Sequence, residues 1–180
     1  MRTEREARPV ADPVDPSKTH RAGRAERRAM ELDEVDWKIL KILQADGRTA
    51  LSEIARRLDM GSATIHERVN ALEEAGYIRG YRAVLDAELL GIDRVAFVQV
   101  RTEPGHFSEV AERLSEESAI EEIHEVTGEY DLLLKARVRE QSALTDLLRR
   151  VGSQEDVQAT ETNVALRSVK ESGTLDLGER

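Results

Sequence analysis

Ala63, Thr64, Glu67 and Asn70 fall on one side of a short helical pattern, SATIHERVNALEE, whose opposite stripe is Ile65, Val69 and Leu72. A helix that turns once in about 3.6 residues keeps the two sets apart. The methyls of Ala63 and Thr64 suit the thymine methyl, and the Asn70 amide suits the N6/N7 edge of adenine. Glu67 can accept from cytosine N4 or repel a wrong base. Such a face selects a base sequence but adds little affinity. Affinity must come from cations that meet phosphates, for which Arg56, Arg57, Arg68, Arg79 and Arg82 are the candidates. Ser62 and the positive start of the helix add an anion-binding end. Arg68, at the flank, has a second reading as an ion pair to an Asp or Glu of its own domain. Glu73 and Glu74 read as solvated surface.

The elements that must carry this face begin at Leu32. In LDEVDWKILKILQADGR, Val35, Ile39, Ile42 and Leu43 make one helical stripe. Asp33 is its expected N-cap, Asp36 suits the helix start, and Gly47 is the expected stop. LSEIARRLDM follows, with Ser52 as expected cap and Ile54, Ala55 and Leu58 inward. A tight DMGS turn leads into the third helix, which Gly76 should end. Three short helices with a tight turn before the last describe a helix-turn-helix unit. Gly61 offers the third helix no side-chain acceptor, although Ser62 beside it could supply one.

YIRGYRAVLD, residues 77–86, reads as an extended connector. Beyond it come a strand at 94–101, a helix in GHFSEVAERLSEE, strands at 120–127 and 130–138, a helix in QSALTDLLRRVG, and a strand at 157–170. Gly128-Glu129 is a hairpin signal. This βαββαβ order is the ferredoxin-like unit, with helices on one face of its sheet. Val98, Val100, Leu133, Val164 and Leu166 read as too apolar for the other face to be wet, which predicts a dimer with paired sheets. The expected fold is therefore α+β, a winged-helix-like helix-turn-helix domain followed by a ferredoxin-like domain. Expected boundaries are 1–31 for a disordered tail, 32–79 for the helix-turn-helix, 80–91 for a linker, 92–171 for the ferredoxin-like domain and 172–180 for a flexible tail.

Formal net charge is -9 over 180 residues, unevenly placed. Residues 1–31 hold 8 basic against 6 acidic groups, 32–86 hold 8 against 10, and 87–180 hold 11 against 20. The acidity therefore lies away from the first helices, and polyanion binding depends on local arrangement. The absence of cysteine excludes disulfides, thiolate metal sites and cysteine nucleophiles, and fits a cytoplasmic protein. No apolar run is long enough to span a membrane. His20, His66, His106 and His124 lack metal spacing, and no nucleotide-binding or hydrolase motif occurs. Trp37 lies off the first helical stripe and reads as a domain or subunit contact. No catalytic residue, metal or cofactor is expected.

LDEVDWKILKILQADGR, RVNALEEAGYIRGYRAVLD, VTGEYDLLLKARV and TETNVAL, in this order and spacing, resemble the Lrp/AsnC family of transcription factors over about residues 32–170. That resemblance implies double-stranded DNA as partner, dimers or octamers formed through the C-terminal module, and a small effector, commonly an amino acid. It nominates Gly128, Tyr130 and Asp131 of the hairpin, with Thr160 and Thr162 of the last strand, as effector contacts. An α-amino acid needs N–H donors for its carboxylate and an acceptor for its ammonium, roles that Gly128 permits and Asp131 suits. The family's usual Leu-Ser pair before the reading helix is Met60-Gly61 here. Two rivals remain: a weakly specific DNA-organising protein, and a sirohaem-decarboxylase-like enzyme using His124 and Arg137.

Overall fold

Asp33, in extended backbone at φ -85°, starts the first helix, α1 (Glu34–Ala45). Its carboxylate accepts from Asp36 N at 2.9 Å, and the Asp36 carboxylate accepts from Asp33 N at 3.1 Å. Two orphan amides of the helix start are thereby satisfied reciprocally. This computed structural model describes residues 30–178, so the tail expected over 1–31 lies almost wholly outside the described residues. The described chain forms two units: residues 30–83 with 173–178, and Val84–Ser172.

In the first unit α1 ends one residue earlier than Gly47 suggests. Asp46 is the C-cap, and its carboxylate then accepts from Arg48 N at 2.9 Å to turn the chain. The second helix, α2 (Leu51–Leu58), is capped by Ala50 and not by Ser52, which lies inside the first turn. Asp59, left-handed at φ 52°, makes the tight turn. The third helix, α3 (Ser62–Glu74), has extended Gly61 as N-cap without a side-chain acceptor, and Ser62 is its first helical residue. Ile39, Leu43, Ile54, Ala55, Ile65, Val69 and Leu72 form the core that fixes these helices.

Gly76 ends α3 as expected, at φ 77°. Gly76 N donates to Glu73 O at 2.9 Å and Tyr77 N to Leu72 O at 2.9 Å, the paired bonds of a Schellman close. A side chain at that φ meets its own carbonyl. Gly76→Ala is expected to lower stability by about 1–2 kcal/mol, measured as the shift in a thermal unfolding transition.

Residues 173–178, expected as a flexible tail, are tied to α1. The Gln44 side chain donates to Leu175 O at 2.7 Å and accepts from Leu175 N at 3.0 Å. Lys41 Nζ donates to Gly178 O at 2.5 Å. One glutamine amide thus copies a rung of a β-ladder.

The second unit runs β1 (Arg94–Thr102), α4 (Phe107–Leu114), β2 (Ile120–Glu125), β3 (Leu132–Val138), α5 (Gln141–Gly152) and β4 (Val157–Val164). All pairings are antiparallel, in the order β2-β3-β1-β4. This is the ferredoxin-like arrangement. β4 stops at Val164, six residues short of the expected strand, with Ala165 N still donating to Val95 O at 2.9 Å.

Alternation sorts the faces. Val98, Val100, Leu132, Leu134 and Ala136 are buried with Val110 and Leu114 of α4 and Leu147 and Val151 of α5. The other face presents Phe97, Gln99, Arg101, Leu133, Lys135, Arg137 and Glu161. The expectation of an apolar open face is therefore corrected. Val98 and Val100 belong to the covered core, Val164 is exposed at the end of edge strand β4, and Leu166 lies beyond the strand. Val95, Phe97, Leu133 and Ala159 are the apolar side chains of that face, among a largely charged set. Among the described residues, no helix is long and apolar enough to cross a membrane.

Candidate nucleic-acid interface

Burial of Ile65, Val69 and Leu72 fixes which way α3 faces. Ser62, Ala63, Thr64, His66, Glu67 and Asn70 are all exposed. Asn70 Nδ2 lies 3.2 Å from His66 Nδ1, so the two side chains form one polar surface a helical turn long. His66, which lacks metal spacing and reads from the sequence as a surface or fold residue, is exposed one turn before Asn70.

The arginines divide into two kinds. Arg68 is half-buried, and its Nη1 meets Asp36 Oδ1 at 2.7 Å and Asp33 Oδ2 at 2.8 Å. These bonds hold its guanidinium above its ordinary pKa and tie α3 to the cap of α1. The domain-internal reading of Arg68 is the one the structure shows. Arg56 and Arg57 are exposed on α2 and share one carboxylate. Arg56 Nη2 and Arg57 Nε each lie 2.8 Å from Glu53 Oε1. The Glu53 carboxyl is held below its usual range by Arg57 first and Arg56 second. Arg79 and Arg82 are also exposed. Glu73, expected to be solvated, accepts from the Tyr81 hydroxyl at 2.9 Å.

In the second unit the loop between β2 and β3 is longer than a two-residue hairpin. It spans Val126 to Asp131, closed by Val126 N donating to Asp131 O at 2.9 Å, with Gly128 at φ 130°. Asp131 is committed within the fold. Its Oδ2 accepts from Thr102 N at 2.7 Å and Thr102 Oγ1 at 3.1 Å. The nominated contacts do not form one cluster. Thr160 and Thr162 stand opposite Val100 and Val98 and so share the helix-covered side of the sheet. Tyr130 instead donates its hydroxyl to Glu161 Oε2 at 3.0 Å, and this bond raises its phenol pKa. Glu161 pairs with Gln99 on the open side.

Farther along that side, Lys135 lies within 3.6 Å of Glu121, Glu122 and Glu171. Arg137 meets Glu121 at 2.6 Å and Glu171 at 2.7 Å. Burial depresses the two cations, but their bonds to Glu171 and Glu121 outweigh it and raise both. His124 Nε2 lies 3.0 Å from Glu122 Oε2. A basic cradle for a polycarboxylate tetrapyrrole would need these cations unpaired, and here each already faces carboxylates.

Two sequence families match in succession: residues 32–79 match winged helix-turn-helix DNA-binding domains, and residues 95–175 match the Lrp/AsnC ligand binding domain. HTH-type transcriptional regulator FL11 of Pyrococcus horikoshii is 40% identical over 146 residues, covering 81% of this chain and 97% of that protein. The chain belongs to the Lrp/AsnC family. Another FL11, from Pyrococcus furiosus, is 40% identical over 144 residues, covering 80% of this chain and 95% of its own. Among solved structures, Escherichia coli AsnC superposes with a TM-score of 0.75 at 26% identity, covering 81% of this chain and 99% of that one. The NMB0573/L-Met complex from Neisseria meningitidis gives 0.75 at 29% identity, with 82% and 97% covered.

The chain is an Lrp/AsnC-type DNA-binding transcriptional regulator. α3 lies inside residues 32–79, and the loop and β4 lie inside residues 95–175.

Proposed function

We propose that this regulator reads a specific DNA sequence through α3, pairs through its ferredoxin-like module, and responds to a small amino-acid-type effector. The observation that carries the reading is the outward face of α3: Ala63, Thr64, His66, Glu67 and Asn70 exposed over a fully buried stripe, with Arg56 and Arg57 exposed on the preceding helix α2. Small methyls, an amide and a carboxylate discriminate base edges, while guanidinium groups supply attraction that ignores sequence. Two or more such readers on one assembly multiply modest affinities through effective concentration. Phe97 and Leu133 on the open sheet face, set among charges, give a second copy both an apolar centre and registering ion pairs.

An effector of amino-acid type is supported by the family match of residues 95–175 to a ligand binding domain, and by the L-Met bound to the Neisseria relative. A ligand that prefers the folded form raises its melting point, by about 2.7 kcal/mol of added stability at 100 times its Kd. A thermal-shift series across the proteinogenic L-amino acids is expected to single out one or a few. Gel shifts on fragments of the regulator's own genome, with bulk DNA as competitor, test the sequence reading. Retention of particular fragments is expected. Uniform binding to every fragment would instead favour a DNA-organising protein.

A further inference from the structure

His66 and Asn70 are both exposed on α3, on the face that the reading above turns toward DNA. Asn70 Nδ2 lies 3.2 Å from His66 Nδ1. An amide nitrogen donates and does not accept, so the imidazole accepts through Nδ1. An imidazole that accepts there carries its proton on Nε2, at the far side of the ring.

That bond sorts the remaining donors and acceptors. One Nδ2 hydrogen of Asn70 is spent on His66. The other, together with Oδ1, makes the donor and acceptor edge that fits N7 and N6 of adenine. A free amide can turn over and lose that edge, whereas one held by a neighbour presents it ready-made and loses less freedom on binding. His66 Nε2 then offers a single N–H. In the major groove guanine places two acceptors, O6 and N7, side by side, while adenine N7 stands beside a donor and thymine O4 beside a methyl. Guanine is therefore the base that this donor fits best. Glu67, the next residue on the exposed face, suits the N4 amine of the cytosine paired with that guanine. The same carboxylate opposes a phosphate close to His66, which argues for a base edge over the backbone. Side chains four residues apart on a helix have Cβ atoms about 5–6 Å apart, and base pairs rise by about 3.4 Å, so the two contacts fall within about two base pairs.

We propose that His66 determines DNA specificity: it holds the Asn70 amide in the orientation that reads adenine, and its own Nε2 donates to a guanine within about two base pairs of it. The assignment rests on the sequence reading by α3 proposed above. Spacing along the chain nominates Asn70 and Glu67 for base contacts, and His66 joins them through its bond to Asn70.

The test uses the full-length protein. Randomised duplexes are selected with wild type, His66→Ala, His66→Gln and Asn70→Ala, and Kd is then measured on the wild-type consensus and its single-base variants. Wild type is expected to require an adenine with a guanine close by, each wrong base weakening binding by about tenfold. Asn70→Ala should erase the adenine penalty. His66→Ala should erase the guanine penalty and also shrink the one at adenine, because the amide is no longer held. His66→Gln keeps an acceptor and a donor and should retain part of both. Both positions are exposed, so melting points without DNA should stay near wild type. If wild type selects a sequence and His66→Ala keeps every penalty, the assignment is wrong while the reading by α3 stands. An equal loss on all duplexes would place His66 on phosphate and overturn it as well. An adenine penalty that His66→Ala leaves untouched removes the hold on Asn70. If wild type selects no sequence, the reading by α3 falls and this assignment with it. Should His66→Ala fail to fold, an adenine penalty that survives in Asn70→Ala still overturns the pair.

Discussion

Arg68→Ala is expected to destabilise the helix-turn-helix unit by about 2–3 kcal/mol, because it leaves Asp36 buried without its cation. Asp36 is 5% exposed in the folded chain. Its remaining hydrogen bond is the 3.1 Å one from Asp33 N. The range sits below that for a fully buried pair because the Arg68 side chain is 30% exposed and partly screened. Urea titration followed by helical circular dichroism measures the change. A loss within about 0.5 kcal/mol, the spread of ordinary surface substitutions, would show that the ion pair is ornamental. Acid dependence supplies a second readout. Asp33 is held below its ordinary 3.8, first by the amide of Asp36 and then by Arg68. A depressed carboxyl stabilises above its unfolded value and loses that contribution as pH falls through the folded value. Without Arg68 the depression shrinks, so the variant should lose less further stability on acidification than wild type does.

That prediction also marks where sequence reading reaches its limit. The helices were legible because Ile39, Leu43, Ile54, Ile65, Val69 and Leu72 repeat at helical spacing and are the buried residues of the unit. The succession of strands and helices along the chain followed from apolar patterning and from the two amphipathic helices. Caps were read less well. Ser52 is a good capping residue, yet Ala50 occupies the cap position because the preceding turn, closed by Thr49 N to Asp46 O at 3.0 Å, sets where α2 begins. The faces of the sheet were misjudged because apolar counts do not say which parity points where. Only the register of Val98 against Thr162 and Leu134 does. Partner choice was least legible. Arg68 and Asp36 are 32 residues apart, and no local spacing announces their bond. The same holds for Arg101 beside Tyr130, and for Asp131 beneath Thr102. Such contacts exist only once the strands have been paired.

Replacing both Arg56 and Arg57 by alanine is expected to weaken DNA binding by about 30-fold per helix-turn-helix unit at ~0.15 M salt. The slope of log K against log salt should become shallower by about 1.8. Each guanidinium that meets a phosphate releases counterions worth about 0.9 of slope, and both side chains are exposed, at 75% and 52%. Their bonds to Glu53 do not oppose this, since exposed pairs exchange partners at little cost. Glu53 competes with phosphate for them, so Glu53→Gln should tighten binding modestly and leave the slope nearly unchanged. Arg68→Ala is the control that separates attraction from folding. Measured where it is still folded, it should keep the wild-type slope, because its charge is matched by Asp33 and Asp36 and not by DNA. If the double variant instead keeps its slope and Arg68→Ala loses it, the two kinds of arginine have been assigned the wrong way round. The acidic chain would then be gripping its polyanion through the cation that holds α3 to α1.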